Sequence, residues 1–251
     1  MISILCPTRN RADKRENLVK SLNETVNNPN NIELLFIIDV DDMVSEKHIG
    51  TLINRYDKLN IRYIKRTRST FLNRDYYNYA TQFAKGDFYW AIGDDVIFLI
   101  PNFDKIILDN LEVYLKNKPD KIVCASIKDN TPKPNPRLPR FPCFPLVSKQ
   151  AVKVLGFFIH PSIPTWGADY AIYCLYKECG RLFEIHDECY LNHVSFHTKQ
   201  CEEDVIAKRI GNIFNSLKMK PEHNVDKIVA EQVPVQANLI LNHIKERQAN
   251  G

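Results

Sequence analysis

The chain has 251 residues, 44% of them hydrophobic and 25% charged, with a net charge of +4. That composition supports one sizeable core in one generous domain and excludes disordered and collagen-like chains. No apolar run approaches the roughly 18–20 residues that cross a bilayer, and no basic segment precedes the apolar opening Ile2-Ser3-Ile4-Leu5, which argues against a secretory signal. Seven cysteines, an odd number without a C-x-x-C pair, point to free thiols in a reducing, cytoplasmic setting.

In chain order, Ile2 to Cys6 reads as a short strand that Pro7 ends by removing a ladder donor. Leu18, Leu22 and Val26 recur at helical spacing within 13–26, and Asn27 to Asn31 is turn chemistry. Ile32 to Ile38 is an almost unbroken apolar run, the pattern of a strand buried on both faces. A helix near 45–59, a short strand at 61–65, a helix near 70–84 and a strand at 88–92 follow. This alternation predicts an α/β fold with a mostly parallel central sheet flanked by helices.

Between Thr131 and Pro164 lie eight of the fourteen prolines, so that stretch is extended apart from one helical run at 148–155. A helix over 168–179 and strands near 182–185 and 190–196 come next. The last fifty residues read as helices packed on the domain. Ile206, Ile210, Ile213, Phe214 and Leu217 mark one face, and Leu239, Ile240 and Ile244 mark a second after Pro234. The domain therefore spans 1–200, with 201–251 as a helical extension, and no internal repeat is present.

Positive charge falls in two blocks. Residues 58–74 hold six basic side chains and no acid, and residues 121–153 hold seven with one acid, Asp129. Such blocks suit a phosphate-bearing ligand, or two solvated faces of a lysine-rich surface. Three polar clusters follow predicted strands: Pro7-Thr8-Arg9-Asn10-Arg11, Asp39-Val40-Asp41-Asp42 and Gly93-Asp94-Asp95. In an open parallel sheet ligands bind beyond the carboxyl ends of the strands. Adjacent carboxylates repel unless a cation or donors offset them, and hard divalent ions favour oxygen ligands. Acids for a metal beside arginines for phosphate suggest a nucleotide–metal enzyme.

These segments resemble the GT-A glycosyltransferases, specifically the family 2-like group. ISILCPTRNR is similar to the first strand and nucleotide-facing loop of that group, and the segment ending IIDVDD to its acidic second-strand motif. Ala84-Lys85-Gly86-Asp87-Phe88 followed by Gly93-Asp94-Asp95 is similar to its DxD region, with Asn78 where an Asn is usual. The resemblance covers roughly residues 1–200. It implies a nucleotide-sugar-binding half over 1–100 and an acceptor-binding half over 101–200.

The resemblance further implies a nucleoside diphosphate sugar as donor, a UDP-sugar foremost, with Mn²⁺ or Mg²⁺ as cofactor. Pro7, Thr8 and Arg9 would line the base pocket, and either Asp39 or Asp41 would accept the base N–H. Asp94 would bind the ribose or assist the metal, and Asp95 would ligate it. Arg68 and Arg74 are candidates for the diphosphate, because a guanidinium offers a fixed fork of donors. Trp166-Gly167-Ala168-Asp169 matches the place where inverting members carry the catalytic base, with Asp169 held ionised by a helix N-terminus. Either His193 or His197 would be a late metal ligand. Cys189, His193, His197 and Cys201 also have the residue types of a zinc site.

Residues 128–149 mix basic, aromatic and proline side chains, which suits phosphates and bases. Arg137 and Arg140 within it, and Trp166 beyond it, are candidate acceptor contacts, and a hydroxymethylated base in DNA, as in viral DNA hypermodification, is one acceptor. A glycan or lipid-linked acceptor and a non-catalytic nucleotide-sugar-binding module are the alternatives. Two departures stand out: Asp41-Asp42-Met43-Val44 replaces the usual Asp-Asp-Gly-Ser, and Tyr79 stands where an Arg is common. With eight glycines and no phosphate-cradling glycine loop, a dehydrogenase, a kinase and a sugar nucleotidyltransferase are disfavoured.

Overall fold

The central strand, β1 (Ile2–Pro7), pairs in parallel on one side with β2 (Ile32–Asp39) and on the other with β4 (Phe88–Ala91). The computed structural model describes residues 1–132, 142–195, 198–202 and 204–249. Its main sheet is completed by β3 (Asn60–Arg66), β6 (Cys124–Ile127), β7 (Pro145–Ser148) and β8 (Leu182–Ile185), in the order β3-β2-β1-β4-β7-β6-β8. Only β7 runs against the others. A two-stranded sheet pairs β5 (Val96–Phe98) with β9 (Leu191–His193).

Strand periodicity sorts the core into two layers. Ile4, Leu34, Phe36 and Trp90 face helices α1 (Ala12–Thr25), α2 (Met43–Arg55) and α3 (Phe103–Leu115). Leu5, Leu35, Ile37 and Tyr89 face the opposite way, toward α4 (Lys149–Leu155), α5 (Ala168–Glu178) and the terminal helices. All eight residues of β2 are buried, as its apolar run predicts. Of its two acids, Glu33 lies mid-core and is held by Ser3 Oγ at 2.5 Å, by the Lys85 N–H at 2.8 Å and by Arg62. A carboxylate satisfied on both oxygens is the form in which a buried charge is tolerated.

The structure differs from the expectation at several elements. The helix predicted over 70–84 is shortened to 72–80 and takes π geometry at Asn73–Asn78. Asn73 Nδ2 donates to the carbonyls of Ile163 and Thr165 at 2.9 and 2.7 Å, and Asn78 Oδ1 accepts from the N–H groups of Phe158 and Ile159 at 3.0 and 2.8 Å. Anchoring to the 158–165 loop at both ends overrides the regular period, and π turns of this kind concentrate at functional sites. The strand predicted over 190–196 shortens to β9, with Phe196 outside the described residues. Helix α3, though unforeseen, carries its signal in Phe103, Ile107, Leu111 and Leu115, one apolar residue every four.

The last segment forms α6 (Val205–Leu217), α7 (Val225–Glu231) and α8 (Val233–Ala249). Helix α8 packs on α4, α5 and α7 through Ala237, Ile240 and Ile244. Leu239, expected on that face, points to solvent instead. No described helix is long and apolar enough to cross a membrane, and all seven cysteines are free.

Candidate functional site

From β1 the chain moves outward through β2 and β3, then returns to place β4 on the other side of β1. The loops leaving β1 and β4 therefore diverge and open a crevice at the carboxyl ends of the strands. A cavity of about 670 Å³ lies there, lined by Thr8, Arg11, Asp39, Asp94 and Asp95 at one end and by Trp166 and Asp169 at the other.

At the β2 end, Asp39 and Asp41 both converge on Arg9. Its Nη1 lies 2.8 Å from Asp39 Oδ2, and its fork takes both oxygens of Asp41 at 2.7 and 2.9 Å. Only Asp39 is buried and lines the cavity, and it also accepts from the Tyr76 hydroxyl at 2.5 Å. Asp41 is 56% exposed and faces outward. The geometry thus separates two acids that strand periodicity alone leaves equivalent. Arg68 lines the cavity with Nε 3.8 Å from Asp39 Oδ2.

At the β4 end, Asp94 is buried and accepts from Thr8 Oγ1 at 2.6 Å and Arg11 Nη1 at 2.7 Å. Behind it, the fully buried Arg15 donates from Nη1 to Thr8 Oγ1 at 3.0 Å, so the Thr8 hydroxyl hydrogen is directed onto Asp94. Asp95 faces Lys14 Nζ at 3.7 Å, Arg11 Nη1 at 3.9 Å and His193 Nε2 at 3.6 Å. Burial pushes both carboxyls above their ordinary range, Arg11 opposes the rise in each, and Lys14 opposes it at Asp95. The turn is tight: a Cβ on Gly93 would fall 2.5 Å from Asp95 Oδ1. A side chain there would push the Asp95 carboxylate from its place.

Across the cavity, Asp169 stands in the first turn of α5 and accepts from the Tyr170 N–H at 3.0 Å. Burial drives its carboxyl up to about 6, with nearby N–H groups opposing and Asp129 adding to the rise. A helix N-terminus acting alone would hold Asp169 ionised well below neutral pH. Desolvation outweighs it, which leaves a carboxylate poised near neutrality. The preceding Gly167 has φ of +87°, and a side chain there would meet Val225 of α7 at 2.7 Å. Trp166 lines the cavity and packs its ring on Phe214 of α6, with centroids 5.7 Å apart.

Other predicted site residues lie elsewhere. Arg74 does not line the cavity; it pairs with Asp75 at 2.9 Å and sits over the Phe71 ring, because the π turn aims it outward. Asn78 locks the backbone of Phe158 and Ile159 and likewise does not reach the cavity. Pro7 lines the cavity beside Thr8 and Arg9. Arg137, Arg140 and His197 lie outside the described residues. Sequence reasoning missed Lys14, Tyr76 and Asp204 and gave Arg11 no role. The basic pair Arg11 and Lys14, three apart at the start of α1, was the readable signal.

Among the described residues no three His, Cys, Asp or Glu side chains gather as a metal-binding group, and the zinc reading of Cys189, His193 and Cys201 finds no such cluster. A divalent ion completed by substrate oxygens needs fewer protein ligands, since Mg²⁺ is usually held by one or two carboxylates plus phosphates. Asp95 and His193 fit that requirement. His193 Nδ1 is 3.1 Å from Thr131 Oγ1. When that nitrogen carries the proton, Nε2 presents its lone pair toward Asp95 Oδ1 3.6 Å away, an arrangement that a cation between them would satisfy.

No protein-family model and no curated protein matches the sequence. Solved structures do match. The mannosyltransferase PcManGT from Pyrobaculum calidifontis, in complex with GDP-Man and Mn²⁺, has a TM-score of 0.60 at 14% identity, covering 100% of this chain and 75% of its own. S. aureus TarS 1-349 in complex with UDP has a TM-score of 0.59 at 14% identity, covering 100% and 72%. GalNAc-T7 with UDP, GalNAc and Mn²⁺ has a TM-score of 0.60 at 13% identity, covering 95% and 55%. The mostly parallel seven-stranded sheet flanked by helices is accordingly the fold of the GT-A nucleotide-sugar glycosyltransferases that these structures represent.

Proposed function

We propose that the protein transfers a sugar from a nucleoside diphosphate to an acceptor hydroxyl, with inversion at the anomeric carbon. One observation carries the reading: a single cavity joins the strand-end cluster of Thr8, Arg11, Asp94 and Asp95 to Asp169. In this reading 1–100 is the nucleotide-sugar half, 101–200 the acceptor half, and 201–251 an extension. Asp39 accepts the N–H of a uracil-type base, within reach of Arg9 and Arg68. Arg11 and Lys14 hold the diphosphate, and Asp95 with His193 holds Mn²⁺ or Mg²⁺.

When bound, such an ion supplies positive charge to the departing diphosphate. Arg11 and Lys14 add positive charge to the same diphosphate. Asp169 takes the proton of the acceptor hydroxyl as its oxygen bonds to the anomeric carbon, and the bond from that carbon to the diphosphate oxygen breaks on the opposite face. A carboxylate with a pKa of about 6 is ionised at neutral pH yet basic enough to accept that proton.

The test is transfer and hydrolysis from UDP- and GDP-sugars, with hydroxymethylated duplex DNA, oligosaccharide and lipid-linked acceptors compared, followed across pH. A base must be ionised to act, so kcat/KM is expected to rise with pH through about 6 and level off above it. A profile flat from about pH 5 to 8 would remove Asp169 from that role. Nucleotide-sugar binding without turnover on any acceptor would favour the non-catalytic module.

A further inference from the structure

Helix α6 begins with a carboxylate seated on the two cations that face the acid pair. Asp204 caps the helix by accepting from the Ala207 N–H at 2.8 Å, and it also accepts from Arg11 Nη2 at 2.8 Å and lies 3.4 Å from Lys14 Nζ. Burial alone would raise its carboxyl. Arg11, the Ala207 N–H and Lys14 hold it down at about 2. The same helix presents Ile210 and Ile213 to the cavity and Phe214 to Trp166, so cap and apolar face together close one side of the site.

The charge balance makes this contact a barrier to an anion. Arg11 and Lys14 stand against three carboxylates: Asp94, Asp95 and Asp204. Counting these five groups, and before any divalent ion binds, a diphosphate entering that cluster meets net negative charge unless one carboxylate leaves. Asp94 and Asp95 cannot, since they sit in the turn after β4, and Asp94 is 2% exposed and held by Thr8. Asp204 is the most exposed of the three, its side chain 34% open to solvent, and it belongs to a segment outside the main sheet.

We propose that Asp204 is an internal competitor for the donor's diphosphate: its carboxylate occupies the anion position on Arg11 and Lys14, and a bound nucleoside diphosphate displaces it together with the first turn of α6. The proposal rests on the nucleotide-sugar reading of the cavity. It makes Asp204 a determinant of selectivity, because a ligand must bring phosphate charge to displace it. A nucleoside without phosphate gains nothing from its removal. Apparent affinity is the intrinsic affinity reduced by the fraction of molecules whose site is open.

The test is calorimetric titration of UDP and of uridine into the wild type, Asp204→Ser and Asp204→Asn. Serine and asparagine both cap helices well, so α6 keeps its start while the charge is lost, and serine is too short to reach Arg11. UDP is expected to bind Asp204→Ser about tenfold more tightly than the wild type, with uridine affinity unchanged. Asp204→Asn should move the same way by a smaller factor. In the wild type, UDP should speed hydrogen exchange at the first turn of α6. Equal or weaker UDP binding by both variants, or slower exchange there with UDP, overturns the competitor while leaving the nucleotide site in place. Absence of UDP binding to every form overturns both.

Discussion

Asp169→Asn is expected to lower turnover by about 10³-fold while leaving UDP affinity within about twofold, because the amide keeps shape and removes the proton acceptor. The same substitution should stabilise the fold at neutral pH. Asp169 has a folded pKa of about 6, above its ordinary value of 3.8. The folded state therefore holds the proton more tightly, and ionising the group costs stability progressively as pH rises from about 4 to about 6. The variant escapes that cost. Its advantage over the wild type in denaturant titrations should be near zero at about pH 4 and roughly 1–3 kcal/mol at pH 7. Unchanged turnover would reduce Asp169 to a residue of the α5 N-terminus, and a loss of stability at pH 7 would show that its carboxylate is a structural partner.

Asp95→Ala is expected to cost at least about 10²-fold in transfer and to abolish the effect of the metal on nucleotide binding. In the wild type, Asp95 faces Lys14, Arg11 and His193. Without it, His193 alone remains of the pair that fits the ion, so added Mn²⁺ should no longer tighten UDP binding. Arg11 and Lys14 are then left with less opposing charge, so UDP binding without metal should hold steady or strengthen. The split separates ligation from collapse of the site, since a collapsed site would weaken UDP under both conditions. Strong Mn²⁺ enhancement in the variant would place the ion elsewhere.

Much of the architecture was legible because burial and periodicity coincide. The apolar run of β2 is buried at every position, and Leu18 and Leu22 fall on the buried face of α1. The strand-end acids were legible for a related reason, since a polar cluster after a buried strand emerges where loops open. Elements whose form depends on distant partners were not legible. The π turn at Asn73–Asn78 is set by carbonyls and N–H groups some 80–90 positions away, which no local pattern encodes. That displacement also accounts for Arg74, chosen for its basic block yet turned toward Asp75. Asp204 reads locally as a helix cap, and only the return of α6 over the cavity brings it to Arg11. Asp169 lines the cavity from the segment singled out in the sequence, but its raised pKa follows from burial, which sequence position does not report.

The decisive measurement is a crystal structure with UDP and Mn²⁺ bound. The diphosphate should lie in the cavity against Arg11 and Lys14, with the ion at Asp95 and His193, the uracil toward Asp39, and Asp169 open across the remaining space. Nucleotide bound away from this cavity, or Asp94 and Asp95 turned from both ion and phosphate, would contradict the proposed chemistry.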